Sequence, residues 1–287
     1  MNSENQKHCH NCNSTNYEIL HKGTRDKNNL DVLICKDCGL LFLSDFSHIS
    51  EKFYAEGGML NNKIDLQVWI NATKEDDFRR FSTLKNKIKN KVLVDFGCGN
   101  GGFLNFVKEI CDKVYGIELQ KDNYDYFKKC NLNVISDIEL LPEKVDFVTM
   151  FHVLEHLKNP VEELKKLKPY LKENAKVIIE VPNSKDALIS LYNCKSFKDF
   201  VFWSCHLFVY NEKSLRQIVQ KAGYKINTVK YIQRYNFLNH LYWIFQNKPG
   251  GHKIWGKFYF APLNILYCLF LKVFKITDTL WVELRVE

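Results

Sequence analysis

Val94-Asp95-Phe96-Gly97-Cys98-Gly99-Asn100-Gly101-Gly102-Phe103 runs from an apolar, strand-like segment through a glycine-dense turn into the start of a helical pattern. Glycines at such a turn let the backbone reverse sharply and approach a ligand that a Cβ would exclude. The flanking sequence extends the same alternation. Upstream, Phe78, Phe81, Leu84 and Ile88 recur at three- and four-residue intervals, so residues 73–90 read as an amphipathic helix leading into the strand, which spans residues 91–96. Downstream, strand-like runs at 113–117, 132–135, 145–150 and 175–181 alternate with helical stretches near 103–111, 121–130 and 160–171. Strands separated by helices imply an α/β fold with a doubly wound parallel sheet, whose ligand sits at the carboxyl ends of the strands.

The 287 residues, 46% apolar and 26% charged, can bury a sizeable core, and their number suits one large domain with a small module or insertion attached. No internal repeat is visible. The formal net charge is +8, but residues 1–90 carry 13 basic and 12 acidic side chains, residues 91–224 carry 19 and 18, and residues 225–287 carry 9 and 3. The excess belongs to the C-terminal end, which argues against a basic N-terminal nucleic-acid clamp. The polar start MNSENQK has no apolar signal core behind it, so the ten cysteines read as reduced thiols of a cytoplasmic protein. The most apolar stretch, residues 258–271, contains Pro262 and Asn264 and is bounded by Lys257 and Lys272, too short for a comfortable membrane span.

Four cysteines form two matched pairs, Cys9-His10-Asn11-Cys12 and Cys35-Lys36-Asp37-Cys38, separated by 22 residues. This is the spacing of a zinc ribbon, in which each two-residue gap aims both thiolates at one ion. Residues 17–20 and 31–34 read as short strands around the polar turn 26–29. Four sulfur ligands leave no open position for water, so the zinc would be structural.

The glycine turn alone also satisfies the dinucleotide pattern Gly-x-Gly-x-x-Gly and is weak evidence by itself. In company it resembles the class I S-adenosylmethionine-dependent methyltransferases. Asp95 followed by Gly97, Cys98, Gly99 and Gly101 resembles their first motif. Glu118, with Leu119 after it, stands where the family accepts hydrogen bonds from the donor's ribose hydroxyls. Asp137 and Ile138 fall at the adenine contact, and the run from Phe151 and His152 to Leu157 resembles the segment beside the donor's methionine. Cys205-His206-Leu207-Phe208, Ala222-Gly223-Tyr224 and residues 278–286 resemble the family's closing elements.

The resemblance covers about 73–232 and implies a Rossmann-like seven-stranded sheet. The chain then divides into a zinc ribbon (1–47), a linker and lead-in helix (48–90), a donor-binding core (91–235), a helical aromatic insertion (236–277) and a last core strand (278–287).

A ribbon directly before this core resembles zinc-containing methyltransferases of deoxysugars and surface-glycan sugars, which implies oxygen methylation of a sugar or glycan precursor. In that group a Glu-His pair often stands where this chain has Cys205-His206. A hydroxyl acceptor benefits from a nearby base, and His206 and His156 are the candidates; Glu155 would orient a base or cap the next helix. Phe197, Phe200, Phe202, Trp203, Phe208 and Tyr210 are dense around the expected acceptor pocket, as an apolar wall beside a sugar face or simply as core. An rRNA methyltransferase or a non-catalytic partner subunit are the alternatives, but residues 1–47 carry 5 basic and 6 acidic side chains, which argues against nucleic acid. The helical stretch 263–276 is apolar on nearly every side and must be covered by the core, a second subunit or the inner face of a membrane.

Overall fold

The computed structural model describes residues 7–50, 53–54 and 65–286; most of the expected linker, including residues 55–64, lies outside them. The chain begins with β1 (Tyr17–His21), β2 (Val32–Cys35) and β3 (Leu41–Leu43), followed by α1 (Leu66–Ile88). There follow β4 (Val92–Phe96), α2 (Gly102–Val107), β5 (Lys113–Ile117), α3 (Tyr124–Lys129), β6 (Asn133–Ile135), β7 (Val145–Phe151), α4 (Pro160–Leu167) and β8 (Leu171–Pro182). The remainder comprises α5 (Ala187–Ser190), α6 (Lys195–Val201), β9 (Phe208–Val209), α7 (Glu212–Lys221), β10 (Tyr224–Ile232), α8 (Phe237–Gln246), α9 (Gly251–Ile254), α10 (Ala261–Val273) and β11 (Thr279–Val286).

Seven strands form one sheet in the order β10-β11-β8-β7-β4-β5-β6. β4 is parallel to β5 and β7, β5 to β6 and β7 to β8, whereas β11 is antiparallel to both of its neighbours. The expected α/β sheet is therefore present as a seven-stranded mixed sheet of the Rossmann-like methyltransferase kind. Val94, Val148 and Ile179 are fully buried on the central strands, as continuous apolar runs covered on both faces require. Strand order reverses beside β4, which opens a crevice above the carboxyl ends of β4 and β7.

α1 starts at Leu66, ahead of the expected residue 73, because the Asp65 carboxylate accepts hydrogen bonds from the amides of Gln67 and Val68. A cap, rather than the apolar period, fixes that end. The N-terminal strands also hold a surprise. β1, β2 and β3 form an antiparallel sheet, and β3 pairs with β9 through Leu41 against Val209 and Phe42 against Phe208. Leu41-Phe42-Leu43 is buried throughout and so lacks the alternation that would mark a strand. The cysteine-bearing module thus shares a sheet with the segment that carries His206.

Candidate functional site

A cavity of about 600 Å³ opens at the crevice, within the size range of small-molecule sites. Its floor is the turn after β4. Gly97 has φ of 73°, and a Cβ there would stand 2.6 Å from Cγ2 of Val153. Beyond it, the Gly99 amide donates to Oε2 of Glu118 and the Gln120 amide to Oε1, each at 2.9 Å. Each carboxylate oxygen keeps acceptor capacity toward the cavity. Burial raises the Glu118 carboxyl above its ordinary value, against these backbone hydrogen bonds. Asp95 is fully buried, accepts from the Thr149 hydroxyl at 2.6 Å, and is pushed up to about 7 by burial.

Of the residues expected at the donor, Asp95, Gly97, Cys98, Gly99, Glu118, Leu119, Asp137, Ile138, Phe151 and His152 line this cavity. Gly101 does not. It precedes α2 with φ of 72° and backs onto Phe127 and Leu132, so its role is to turn the chain. Burial raises the Cys98 thiol well above its ordinary value, and its sulfur faces Gly116, which makes it a packing group. Asp137 Oδ1 accepts from the Glu139 amide at 2.9 Å, closing the turn that seats Ile138.

One wall is an ion network that the sequence did not disclose. Glu180, fully buried on β8, accepts from Arg79 at 2.9 and 3.0 Å and from Arg80 at 2.8 and 3.1 Å. Arg234 donates to Asp278 at 3.3 Å and to Asp76 at 3.4 Å. Asp76, Asp77, Arg79 and Arg80 sit on α1, where adjacent charges read as a solvated helix face; only the fold brings β8 beneath them. The network holds His152, whose φ of 57° is a left-handed conformation rare outside glycine and of the kind that recurs at functional sites. Its amide donates to the Glu180 carbonyl at 2.8 Å and its Nδ1 lies 3.1 Å from Oε1 of Glu155. Burial pulls the His152 imidazole down, but hydrogen bonds with Glu155 and Glu180 outweigh it and leave it raised.

The two expected bases stand beside Glu155, the partner of His152. His156 lines the cavity, and its Nδ1 lies 2.7 Å from the Cys205 carbonyl. A carbonyl only accepts, so Nδ1 carries the proton and Nε2 is the free acceptor. Tyr54 donates to the His156 carbonyl at 2.8 Å. The His206 ring is 5.0 Å from that of His156, but among the described cavities it lines a small one beside Phe42 and Trp203. Burial, with His156 adding to it, pushes His206 down to about 3. Glu155 does not cap α4, whose cap position is Asn159; it is buried, with Oε2 unpartnered within the protein, as is Nδ1 of His206. One ligand atom from each of Glu155, His156 and His206 lies within 4.8 Å of the others.

None of the six aromatics lines this cavity: Phe202, Phe208 and Tyr210 are buried core, Phe197 and Phe200 pack on Trp243, and Trp203 lines the small cavity with His206. The aromatic side chains on the cavity are instead Tyr54, Trp69, Phe96, Phe103 and Phe151.

The four ribbon cysteines converge, with Cys9 and Cys38 sulfurs 3.6 Å apart and those of Cys12 and Cys35 3.5 Å apart. Tetrahedral zinc with bonds of about 2.3 Å places sulfurs about 3.8 Å apart, so the set fits that ion. The module is clamped to the core near the site. The Asp26 carboxylate accepts from the Ser204 amide at 3.0 Å and its hydroxyl at 2.5 Å, the Ser204 carbonyl meets His48 Nε2 at 2.8 Å, and Asn211 donates to the Cys38 carbonyl at 3.1 Å.

A family described as a methyltransferase domain matches residues 69–229. An uncharacterised protein of Methanocaldococcus jannaschii is 31% identical over 141 residues, 47% of this chain and 61% of that protein, so the chain spans under two thirds of that relative's length. A tRNA U34 carboxymethyltransferase of Campylobacter fetus is 25% identical over 199 residues, covering 60% of this chain and 69% of that one. Among solved structures, magnesium protoporphyrin IX methyltransferase of Synechocystis, with S-adenosylhomocysteine bound, superposes with a TM-score of 0.51 at 12% identity, covering 85% of this chain and 100% of that one. A methyltransferase of Thermotoga maritima gives 0.50 at 17%, covering 77% and 94%. None of the proteins named here carries a sugar acceptor in its name.

Proposed function

Because the chain belongs to the methyltransferase-domain family and is an S-adenosylmethionine-dependent methyltransferase, we propose that it methylates a hydroxyl oxygen of a sugar-class acceptor, with His156 as the base. The donor supplies a methyl group on a sulfonium centre. Glu118 accepts hydrogen bonds from its ribose hydroxyls, Leu119 and Ile138 flank its adenine, and Asp95 and His152 face its amino-acid end. As the acceptor oxygen bonds to the methyl carbon, the carbon–sulfur bond breaks to leave a neutral thioether, and the acceptor's proton passes to Nε2 of His156, then to water. Alignment and exclusion of water carry most of such a reaction, and a positioned base adds about 10²- to 10⁴-fold.

The observation that supports this reading is the tautomer of His156, a residue of the cavity wall whose Nδ1 proton is held by the Cys205 carbonyl, leaving Nε2 as the acceptor. His206 and Glu155 then act as positioning residues behind it. The four cysteines hold a structural zinc that keeps the ribbon folded, and the ribbon in turn fixes Ser204 and with it the Cys205 carbonyl. A tRNA acceptor is the second reading. The name of the Campylobacter relative favours it, as does a basic cleft between ribbon and α7 that includes Lys36, Lys185, Lys213 and Arg216. Incubation with methyl-labelled donor and, in parallel, nucleotide sugars, lipid-linked glycan precursors and tRNA tests the choice. Label in a sugar fraction supports the proposal; label in tRNA alone overturns it.

A further inference from the structure

The helix α10 is built inside out. Its inner face is polar. Tyr267 Oη lies 2.7 Å from His240 Nδ1 and 3.1 Å from Tyr192 Oη, and Asn264 Oδ1 accepts from the Phe237 amide at 3.0 Å. Its outer face is apolar, with Ile265 65%, Leu266 64%, Leu269 55% and Val273 66% exposed, and Leu271 is the one described side chain of the helix fully buried. A helix on a water-exposed surface shows the opposite pattern. Phe245, Ile254, Phe258 and Phe260, each more than half exposed, extend the apolar surface. It far exceeds what scattered surface residues require.

We propose that this face seats α10 in the plane of an anionic lipid bilayer. The charges around it identify the occupant. Residues 236–277 contain five lysines and no acidic residue. Lys275 pairs with Glu212 at 2.9 Å, but Lys248, Lys253, Lys257 and Lys272 are exposed, and Lys272 lies at the margin of the apolar face, as a lysine reaching for headgroups would. A second copy pairing through the same face would bring these lysines together without a counter-charge from the segment. An anionic leaflet supplies that charge, about a fivefold gain in partitioning per lysine. Thirteen residues span about 20 Å against a hydrocarbon core of about 30 Å, so the helix lies in the interface and does not cross it. The insertion leaves the sheet at the carboxyl end of β10, the end where the cavity opens, and Arg234 at its root lines that cavity. Docking would therefore bring the acceptor site close to the lipid surface.

The test is co-sedimentation of the full chain with phosphatidylcholine vesicles and with vesicles containing phosphatidylglycerol, at low and high salt, alongside light scattering for oligomeric state. We expect at least tenfold tighter binding to the anionic vesicles, weakened by salt, and lost in the double variant Leu266→Glu, Leu269→Glu with melting temperature and S-adenosylhomocysteine binding unchanged. Because both substitutions lie on exposed positions, the variant is expected to fold. Failure of the wild type to bind vesicles, undiminished binding by the variant, or a dimer that the variant dissociates would each overturn the proposal.

Discussion

The ring of His156 is tied through Nδ1 to the carbonyl oxygen of Cys205 at 2.7 Å, joining the segment after β7 to the loop that the ribbon clamps. The ribbon, through Asp26 and Ser204, is thus linked to the group proposed to accept the substrate's proton.

Replacing His156 by Ala should lower turnover by about 10²- to 10⁴-fold while leaving donor affinity within about twofold. Burial holds the imidazole below its ordinary value, so the base is already deprotonated near neutrality. The rate of the wild type should be flat above about pH 6.5 and fall only in more acidic buffer. A pH–rate profile that keeps rising through pH 8 would remove His156 from that role.

Asp26 accepts two hydrogen bonds from Ser204, so Asp26→Ala should loosen the loop that sets the His156 tautomer. Steady-state kinetics should show kcat falling more than tenfold with the donor's KM nearly unchanged. An unchanged kcat would mean that the ribbon does not position the base.

Elemental analysis should find one zinc per chain, and Cys35→Ser should reduce it. The variant's Tm is expected to fall by roughly 10 °C, since each kcal/mol of lost stability moves Tm by about 2–4 °C in a chain of this size. Donor binding, read by calorimetry at a temperature where the variant is folded, should survive, because the cysteines lie outside the donor cavity. A zinc-free wild type would refute the structural-metal reading.

Glu180→Gln removes the buried charge that Arg79 and Arg80 share and should cost about 3–5 kcal/mol by denaturant titration. Burial opposes ionisation of Glu180, but Arg80 and His152 outweigh it and hold the carboxyl well below its ordinary value. Its contribution is therefore complete above the unfolded carboxylate range and disappears only as pH falls through the depressed folded value. His152 has the opposite sign. Its raised imidazole contributes stability fully below about pH 6.5, and that stability is lost as pH climbs through the folded value. Tm should accordingly drift down from pH 6 to pH 8 in the wild type and less so in His152→Gln.

The parts of this molecule legible in the sequence are those where backbone chemistry leaves a local mark. Gly97 and Gly99 at positive φ, the acid Glu118 closing the next strand and the paired cysteines each carry their constraint within a few residues. What was not legible depends on tertiary neighbours. Leu41-Phe42-Leu43 became a strand only because β9 lies beside it, and Asp77 and Arg80 are buried only because β8 passes beneath α1. Likewise, His206 looked as good a base as His156 until their rings stood side by side with one of them on the cavity wall. The apolar character of α10 was plain, but only its orientation told which face had been left uncovered.

The donor site is tested most directly by calorimetric titration of S-adenosylhomocysteine into the wild type and Glu118→Ala. The account predicts one site per chain in the wild type and at least a hundredfold weaker binding in the variant, with Tm in the absence of ligand little changed. Equal affinity in the two proteins, or no binding to the wild type, would contradict it.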